Sequence, residues 1–383
     1  MRATVFARDP NRVLRGPLPV TEGGAVLRLN DIGTWQFELD ARHAKASRVV
    51  PGGGVVVVDD DTGEVVFNGP ATRITNVAAA GGPVRTLRVS GVTDEQHLAD
   101  REILPDPTAA VTAQTAAARY EASGTAGAVI RGLVNSQAAT GAIQPRRVPG
   151  LTLSSTGDAL GAPVSVSVRF KPHLLATLTA LAATGGVVFR VVQEGTDLVF
   201  KVWAPRDLSR RARFSRELGN LGAFSYGLAA PTVTHVPVLG QGEGVLRTVR
   251  ERVNNSTTAQ LWGRRIEGSI DRRDTDTDNV LDQAGAEALL EGAESASLEF
   301  DPIDLPRLQF PRDYRLGDRA TVEFGDGTYL TDVVREVSLA WEPHRIAVTP
   351  LVGPESARDS RDPLVAARVR HLKRRLDKLE ADR

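Results

Sequence analysis

The sequence predicts a β-rich α+β protein: two small β-barrel-like domains flanking an α+β module, with a short C-terminal coiled-coil helix. Three observations carry this reading. Short alternating apolar and polar runs recur between turn residues, in a 383-residue chain with 36 glycines and 22 prolines. Between 164 and 203 the spacing switches from period two to helical and back. Finally, Val365, Val369, Leu372, Leu376 and Leu379 alternate spacings of four and three, an a/d seam.

Residues 1–100 form the first β-domain. Trp35, Phe37 and Leu39 alternate with Gln36, Glu38 and Asp40, which predicts a half-buried strand. Val55 to Val58 is an apolar run. Asp59 to Gly63 turns the chain and Val65 to Phe67 returns it, a hairpin signal. Ile74 and Val77 lead to a turn at Gly81-Gly-Pro83, and Leu87 and Val89 continue the pattern.

Residues 101–163 read as a helical and loop excursion. Ala109 to Ala128 is alanine-rich and helical in character, limited by Gly124 and Gly127; Val129 to Val134 suits a short helix, and Ala138 to Gly161 a loop. The α+β module spans 164–240. Val164, Val166, Val168 and Phe170 make a strand, Pro172 opens a helix, and Leu174, Leu175, Leu178, Leu181 and Ala182 form its apolar face. Gly185-Gly186 caps that helix, and Val187–Val192 with Leu198–Trp203 makes a hairpin.

The second β-barrel domain, 241–353, contains one helix from Val280 to Glu291, with Asn279 as N-cap and Asp282 in the first turn. Its strands carry Leu298/Phe300, Val322/Phe324, Val333/Val337/Leu339/Trp341 and Ile346/Val348, with a hairpin turn at Gly325 to Thr328. Residues 354–383 are a polar linker and the heptads. Two heptads are marginal alone, so they suit the tip of an oligomer held by other contacts, or a helix docked on its own subunit.

Lys+Arg and Asp+Glu both number 47, so net charge is zero. That weighs against a dedicated nucleic-acid binder, which needs a basic excess. The chain has no cysteine, hence no disulfide framework or thiolate site. The start lacks the apolar core of a signal peptide, and no run is long enough to span a membrane.

No catalytic or cofactor set emerges. Asp274, Asp276 and Asp278 alternate as in an EF-hand loop, but Asn279 and Gly285 occupy the glycine and closing-glutamate positions. The six histidines show no metalloprotease spacing, and no G-x-S-x-G or Walker A pattern is present. Gly240-x-Gly242-x-Gly244 reads as a turn feeding a strand-like Val245–Val249. Four Trp and four Tyr give no aromatic platform for a sugar or a single strand. Metal and cofactor are expected to be none.

The stretch 197–247 organises the chain. After the strand Leu198/Phe200/Val202 and the stop at Ala204-Pro205 come Arg206, Arg210, Arg211, Arg213 and Arg216. These arginines line either an interface or a channel-facing surface, or pair with Asp207, Glu217 and partner acids. The order of strand, Pro205-x-Asp207-Leu-Ser209, arginine-rich segment, Leu218-Gly-Asn-Leu221, strand, Gly240-x-Gly242-Glu-Gly244 and Arg247 resembles the middle of a phage tail-hub protein. That siphophage family is related to the amino-terminal part of tail-associated lysins and to contractile-tail baseplate hubs. Gly33-x-Trp-x-Phe-x-Leu39, Val55 to Val58, Phe67-x-Gly69 and the Leu-Gly-Asp turn at 316–318 fit the family's two barrels in order.

The resemblance implies a homotrimer. Two barrels per subunit alternate around an axis as a pseudo-sixfold ring that matches the hexameric tail tube. It also implies tube or distal tail-ring proteins above, tip or fibre proteins below, and transient DNA passage without sequence-specific contact. The place is the tail tip of the virion, after synthesis in the host cytoplasm. Many relatives continue into a peptidase, a lysozyme-like domain or a receptor-binding region. The chain reaches Arg383 directly after the heptads, so no enzyme activity is expected. The competing readings are a cell-wall hydrolase with a site assembled from distant residues, and a receptor-binding tail adhesin.

Overall fold

Strands of the first β unit are β1 (Ala3–Arg8), β2 (Leu14–Pro17), β3 (Val20–Arg28), β4 (Thr34–Asp40), β5 (Gly54–Asp59), β6 (Val65–Ala78) and β7 (Val84–Val92). The computed structural model describes residues 1–353 except 79–81, 83, 171–172, 256–261, 294, 303–307, 326–327 and 342–344. Pro172, most of the expected turns at 81–83 and 325–328, and the heptad residues Val365 to Leu379 therefore lie outside the described residues. The expected alternation holds where it is clearest: Trp35, Phe37 and Leu39 on β4 are at most 1 % exposed. Trp35 satisfies its indole by donating Nε1 to Val92 O at 2.9 Å, so a polar handle does not penalise its burial.

The chain then builds an α+β module. A one-turn helix α1 (Gln96–Ala99) is followed by β8 (Tyr120–Thr125), α2 (Ala126–Gln137), β9 (Leu151–Leu153), β10 (Pro163–Val168), α3 (Leu174–Gly185), β11 (Val188–Glu194) and β12 (Asp197–Trp203). The hairpin β11–β12 forms as expected, and β9 joins it in parallel beside β12. Helix α3 ends on Gly186 at φ 67, a left-handed cap that glycine adopts without Cβ strain. The alanine-rich helix expected over 109–128 does not form. Tyr120–Thr125 pairs instead with β10, and α2 starts only at Ala126, because a strand partner satisfies backbone that alanine propensity alone would coil. The loop expected at 138–161 contains β9.

A second β unit comprises β13 (Arg213–Ser215), β14 (Leu221–Ala229), β18 (Ser295–Pro302), β19 (Arg319–Gly325), β20 (Thr328–Trp341) and β21 (Ile346–Val352). Between β14 and β18 sits a small unit of β15 (His235–Leu239), β16 (Val249–Val253), β17 (Ile270–Asp271) and helix α4 (Asp278–Glu291). It closes a separate small core around Val236, Val238 and Leu281. The expected split at 240/241 is thus replaced by an insertion: β14 pairs with β18 across it, and the helix belongs to the insert. Thr277, not Asn279, precedes α4, and Asp278 rather than Asp282 lies in its first turn.

The two β units are one repeat. In the first the order is β3-β4-β7-β6-β5-β1; in the second it is β14-β18-β21-β20-β19-β13. The match extends to register. Trp35 lies opposite Gly91 as Leu298 lies opposite Val352, and the next pairs along are Gln36/Ser90 and Glu299/Leu351. At matching places β6 and β20 both shift register, between Ala71 and Arg73 and between Val334 and Glu336. Each long strand pairs through its first half with one neighbour and through its second half with another, and the bulge supplies the bend. The repeat is not complete: β13 runs parallel to β19, whereas β1 runs antiparallel to β5.

The second half of β20 also pairs with β3, from Glu336 opposite Arg28 to Trp341 opposite Gly23. This joins both units into one 13-stranded sheet whose main path ends at β14 and β2. Among the described residues the hydrogen-bonded path is open, and one apolar cluster runs through both units, from Phe37 and Phe67 to Phe214, Phe300 and Tyr314. Trp341 meets Phe37 edge-on at 4.8 Å across the junction. Phe37 is 1 % exposed, and replacing so buried a ring by alanine costs about 3–5 kcal/mol.

Candidate assembly surfaces

Edge strand β11 decides how the α+β module sits on the sheet. It lies at the outside of its three-stranded sheet, so its outward backbone groups need partners. Side chains of the first β unit supply them. Asn30 donates to Val187 O at 3.1 Å and accepts from Phe189 N at 2.7 Å. Glu95 accepts from Val191 N at 2.9 Å. Asn68 donates to Val191 O at 3.3 Å and accepts from Gln193 N at 3.1 Å. Three side chains thus imitate a strand.

Behind them, Arg8 donates to both oxygens of Asp94 at 2.7 Å and to Gln193 Oε1 at 2.7 Å. Asn68 also donates to Asp94. Burial works against the Asp94 charge, but hydrogen bonds from His97 and Arg8 outweigh it and hold the carboxyl well below its usual range. Burial pushes the Glu95 carboxyl up. The Arg8 and Asp94 side chains are only 4 % and 0 % exposed, so this perturbed group faces backbone rather than a cleft. Its chemistry is to hold two bodies together. Little in the sequence marks this join, because Asn30, Asn68 and Glu95 are far apart and each looks like an ordinary turn residue.

The arginine segment divides. Arg206 makes a fork to Asp318, with Nε to Oδ1 at 3.0 Å and Nη2 to Oδ2 at 2.5 Å. The expected Leu-Gly-Asp turn and the Asp207-Leu-Ser209 element therefore meet, and Leu208 N adds a bond to Arg319 O at 3.1 Å. Arg213 pairs with Glu323 at 2.5 Å, and Arg216 lies over the Phe224 ring at 5.3 Å. Arg210 and Arg211 are exposed. Three of the five arginines are thus used within the chain. In the adjacent turn Gly219 takes φ 68, and buried Asn220 accepts from Ser215 N and donates to Arg213 O, both at 2.8 Å.

The inserted unit docks on the module through Gln283, which accepts from Ser165 N at 2.8 Å, and through the Arg119–Asp274 pair. Arg272 also reaches Asp274, and Arg250 reaches Asp278 at 3.1 Å, so two of the three alternating aspartates face arginines. Among the described residues no group of His, Asp and Glu is arranged to hold a metal ion. The glycine-punctuated loop leads into a 3-10 turn, Gly244–Leu246, rather than directly into a strand, and Val245 and Leu246 are exposed. Among the described residues, no helix is long and apolar enough to cross a membrane.

The family described as Siphovirus ReqiPepy6 Gp37-like protein matches residues 7–354, nearly the whole of both β units and everything between them. The chain belongs to this family. Solved structures share the fold at low identity. The tail protein from Neisseria meningitidis MC58 is 14 % identical, with a TM-score of 0.58, over 93 % of this chain and 97 % of that one. The 43 kDa tail protein of prophage MuSo2 from Shewanella oneidensis is 12 % identical, with a TM-score of 0.57, over 92 % and 98 %. Prophage tail protein gp18 from Listeria monocytogenes EGD-e is 13 % identical, with a TM-score of 0.55, over 97 % and 99 %. No curated protein sequence matches the chain. This siphovirus protein therefore has the fold of phage tail proteins.

Proposed function

We propose that the protein is the structural hub of a phage tail tip: a trimeric ring that adapts the tail tube to distal tip or fibre proteins and surrounds the DNA channel. The observation that carries this is the repeat. Two sheet units of equal strand order sit side by side in each chain, so three chains present a sixfold set of similar units to a hexameric tube. The two units take the part of the barrel-like domains, and the α+β module is fixed to the first by the Asn30, Asn68 and Glu95 bonds. The heptad residues Val365 to Leu379 extend the ring towards the next component. Arg210 and Arg211 are the members of the arginine segment left to meet a partner or the channel.

We take the role as architectural and not enzymatic: the buried carboxyl groups Asp94 and Glu95 are bonded to arginine and backbone and serve the join. Two measurements test it. Antibodies against the protein should decorate virions at the distal end of the tail, and the purified chain should leave host cell wall undigested. Labelling elsewhere on the particle, or wall hydrolysis by the pure chain, would replace the hub by another reading.

A further inference from the structure

A groove opens where the inserted unit meets the α+β module. Strand β10 lines one side and residues 271–274 the other. Arg119, Arg169, Arg272 and Arg273 border its first half with only Asp271 and Asp274 against them, around a cavity of about 410 Å³. A second cavity of about 280 Å³ shares Ser167, Val168 and Arg272 with the first, so the two are continuous. This second half is walled by Ala176 and Ala180 of α3 and by Val280 and Ala284 of α4.

Backbone sets the guanidinium groups in place. Ser167 O accepts from Arg119 Nη1 at 3.1 Å and from Arg272 Nη2 at 3.2 Å, and Ser167 Oγ accepts from Arg119 Nη1 at 2.7 Å. Two cations thus share one carbonyl oxygen, with Asp274 bonded to both. Asp271 is likewise divided, between Arg273 at 3.2 Å and Arg247 at 2.5 Å. Arg169 is exposed and has no ion pair among the described residues. Burial, and then the nearby Arg272 and Arg169 charges, lower the Arg119 pKa. The first half is therefore short of negative charge, and guanidinium N–H groups are left over in it.

We propose that this groove binds an acidic segment of another protein, with its carboxylates on Arg119, Arg169, Arg272 and Arg273 and an apolar side chain between α3 and α4. Asp274 already shows the chemistry, since one carboxylate serves two of these arginines. The apolar half decides for a peptide over a free phosphate, which has no carbon to place there. Glu287 also borders that half, but burial works against its charge. Nucleic acid fits less well. No aromatic ring lines either half, and the two aspartates interrupt the basic surface that a run of phosphates needs. The inference stands on this groove and not on the hub reading.

Fluorescence anisotropy on the full-length protein at low salt tests it. Fluorescein-labelled Leu-Ala-Leu-Glu-Asp-Glu-Glu should bind saturably, and its counterpart Leu-Ala-Leu-Gln-Asn-Gln-Gln at least about tenfold more weakly. Arg169→Gln with Arg273→Gln, both at exposed positions, should leave the circular dichroism unchanged and weaken the acidic peptide at least about tenfold. Arg210→Gln with Arg211→Gln removes the same charge elsewhere on the surface and should leave binding as it was. Ala180→Trp, at an exposed position of α3, should fill the apolar half and weaken the leucine-bearing peptide but not labelled Glu-Asp-Glu-Glu. No saturation with the folded parent chain up to about 1 mM, or binding that survives the loss of Arg169 and Arg273, overturns the proposal. Tighter binding of inorganic phosphate or of decathymidylate, lost with the same two arginines, overturns the peptide and gives the groove to a phosphate ligand. None of these results touches the native mass on which the hub reading is judged.

Discussion

Asp94→Asn tests the join between the first β unit and the α+β module. The change keeps the shape and removes the charge that two Arg8 bonds at 2.7 Å depend on. Arg8, with 4 % of its side chain exposed, is then a buried cation without a counter-charge. Breaking a buried pair from one side costs about 3–5 kcal/mol, most of it the desolvation of the charge left behind. The loss should appear where the join meets β11, at the amides of Val191 and Gln193. If these exchange with solvent when the join opens, ~3 kcal/mol speeds them at least about a hundredfold. Hydrogen exchange resolved to residues 187–193 is the assay. The double variant Arg8→Met with Asp94→Asn should lose less than the two single losses together, because no charge stays buried. The sign with pH is fixed as well. A folded carboxyl held below its ordinary value adds stability above about pH 4, and that is lost as pH falls further. Asp94→Asn should abolish this acid sensitivity at the join. Unchanged exchange at Val191 and Gln193 in Asp94→Asn would refute the reasoning.

Glu95 has the opposite sign: burial raises its carboxyl, so its charged form costs stability as pH rises from its unfolded value through the folded one. Glu95→Gln keeps an acceptor for Val191 N, and melting temperatures at pH 5 and pH 8 should lie closer together than in the parent chain. Asn220→Ala removes two 2.8 Å bonds inside the Arg213–Asn220 turn and should cost about 1–3 kcal/mol in denaturant unfolding. Arg206→Ala leaves Asp318, 2 % exposed, without its fork. The arginine itself is 45 % exposed, so solvent screening trims the loss to about 1–2 kcal/mol. Arg210→Ala and Arg211→Ala should each stay within about 0.5 kcal/mol by the same assay.

The sequence made local structure legible where one residue's neighbours decide its place. The β4 alternation, the 55–67 hairpin, the α3 face with its Gly186 cap and the β11–β12 hairpin are all of this kind. Tyr120–Thr125 misled because its fate depends on β10, some forty residues away. The repeat was hidden for a related reason. It is conserved in hydrogen-bond register, while the residues filling it differ: Trp35 matches Leu298, and Asn76 matches Leu339. The inserted unit between β14 and β18 disguised it further by shifting the helix expected in the second barrel out of the sheet unit. The arginine segment was half legible. Its Asp207-Leu-Ser209 and Leu-Gly-Asp elements were noticed separately, but that Asp318 receives Arg206 is a contact across 112 residues that no spacing rule reveals.

Native mass by light scattering, on the full chain and on a chain lacking residues 364–383, tests the hub most directly. The account predicts three times the 41.0 kDa chain mass in both, because the sheet units make the ring and the heptads only extend it. A monomer in both would contradict it, and a trimer lost on truncation would move the assembly element from the sheets to the heptads.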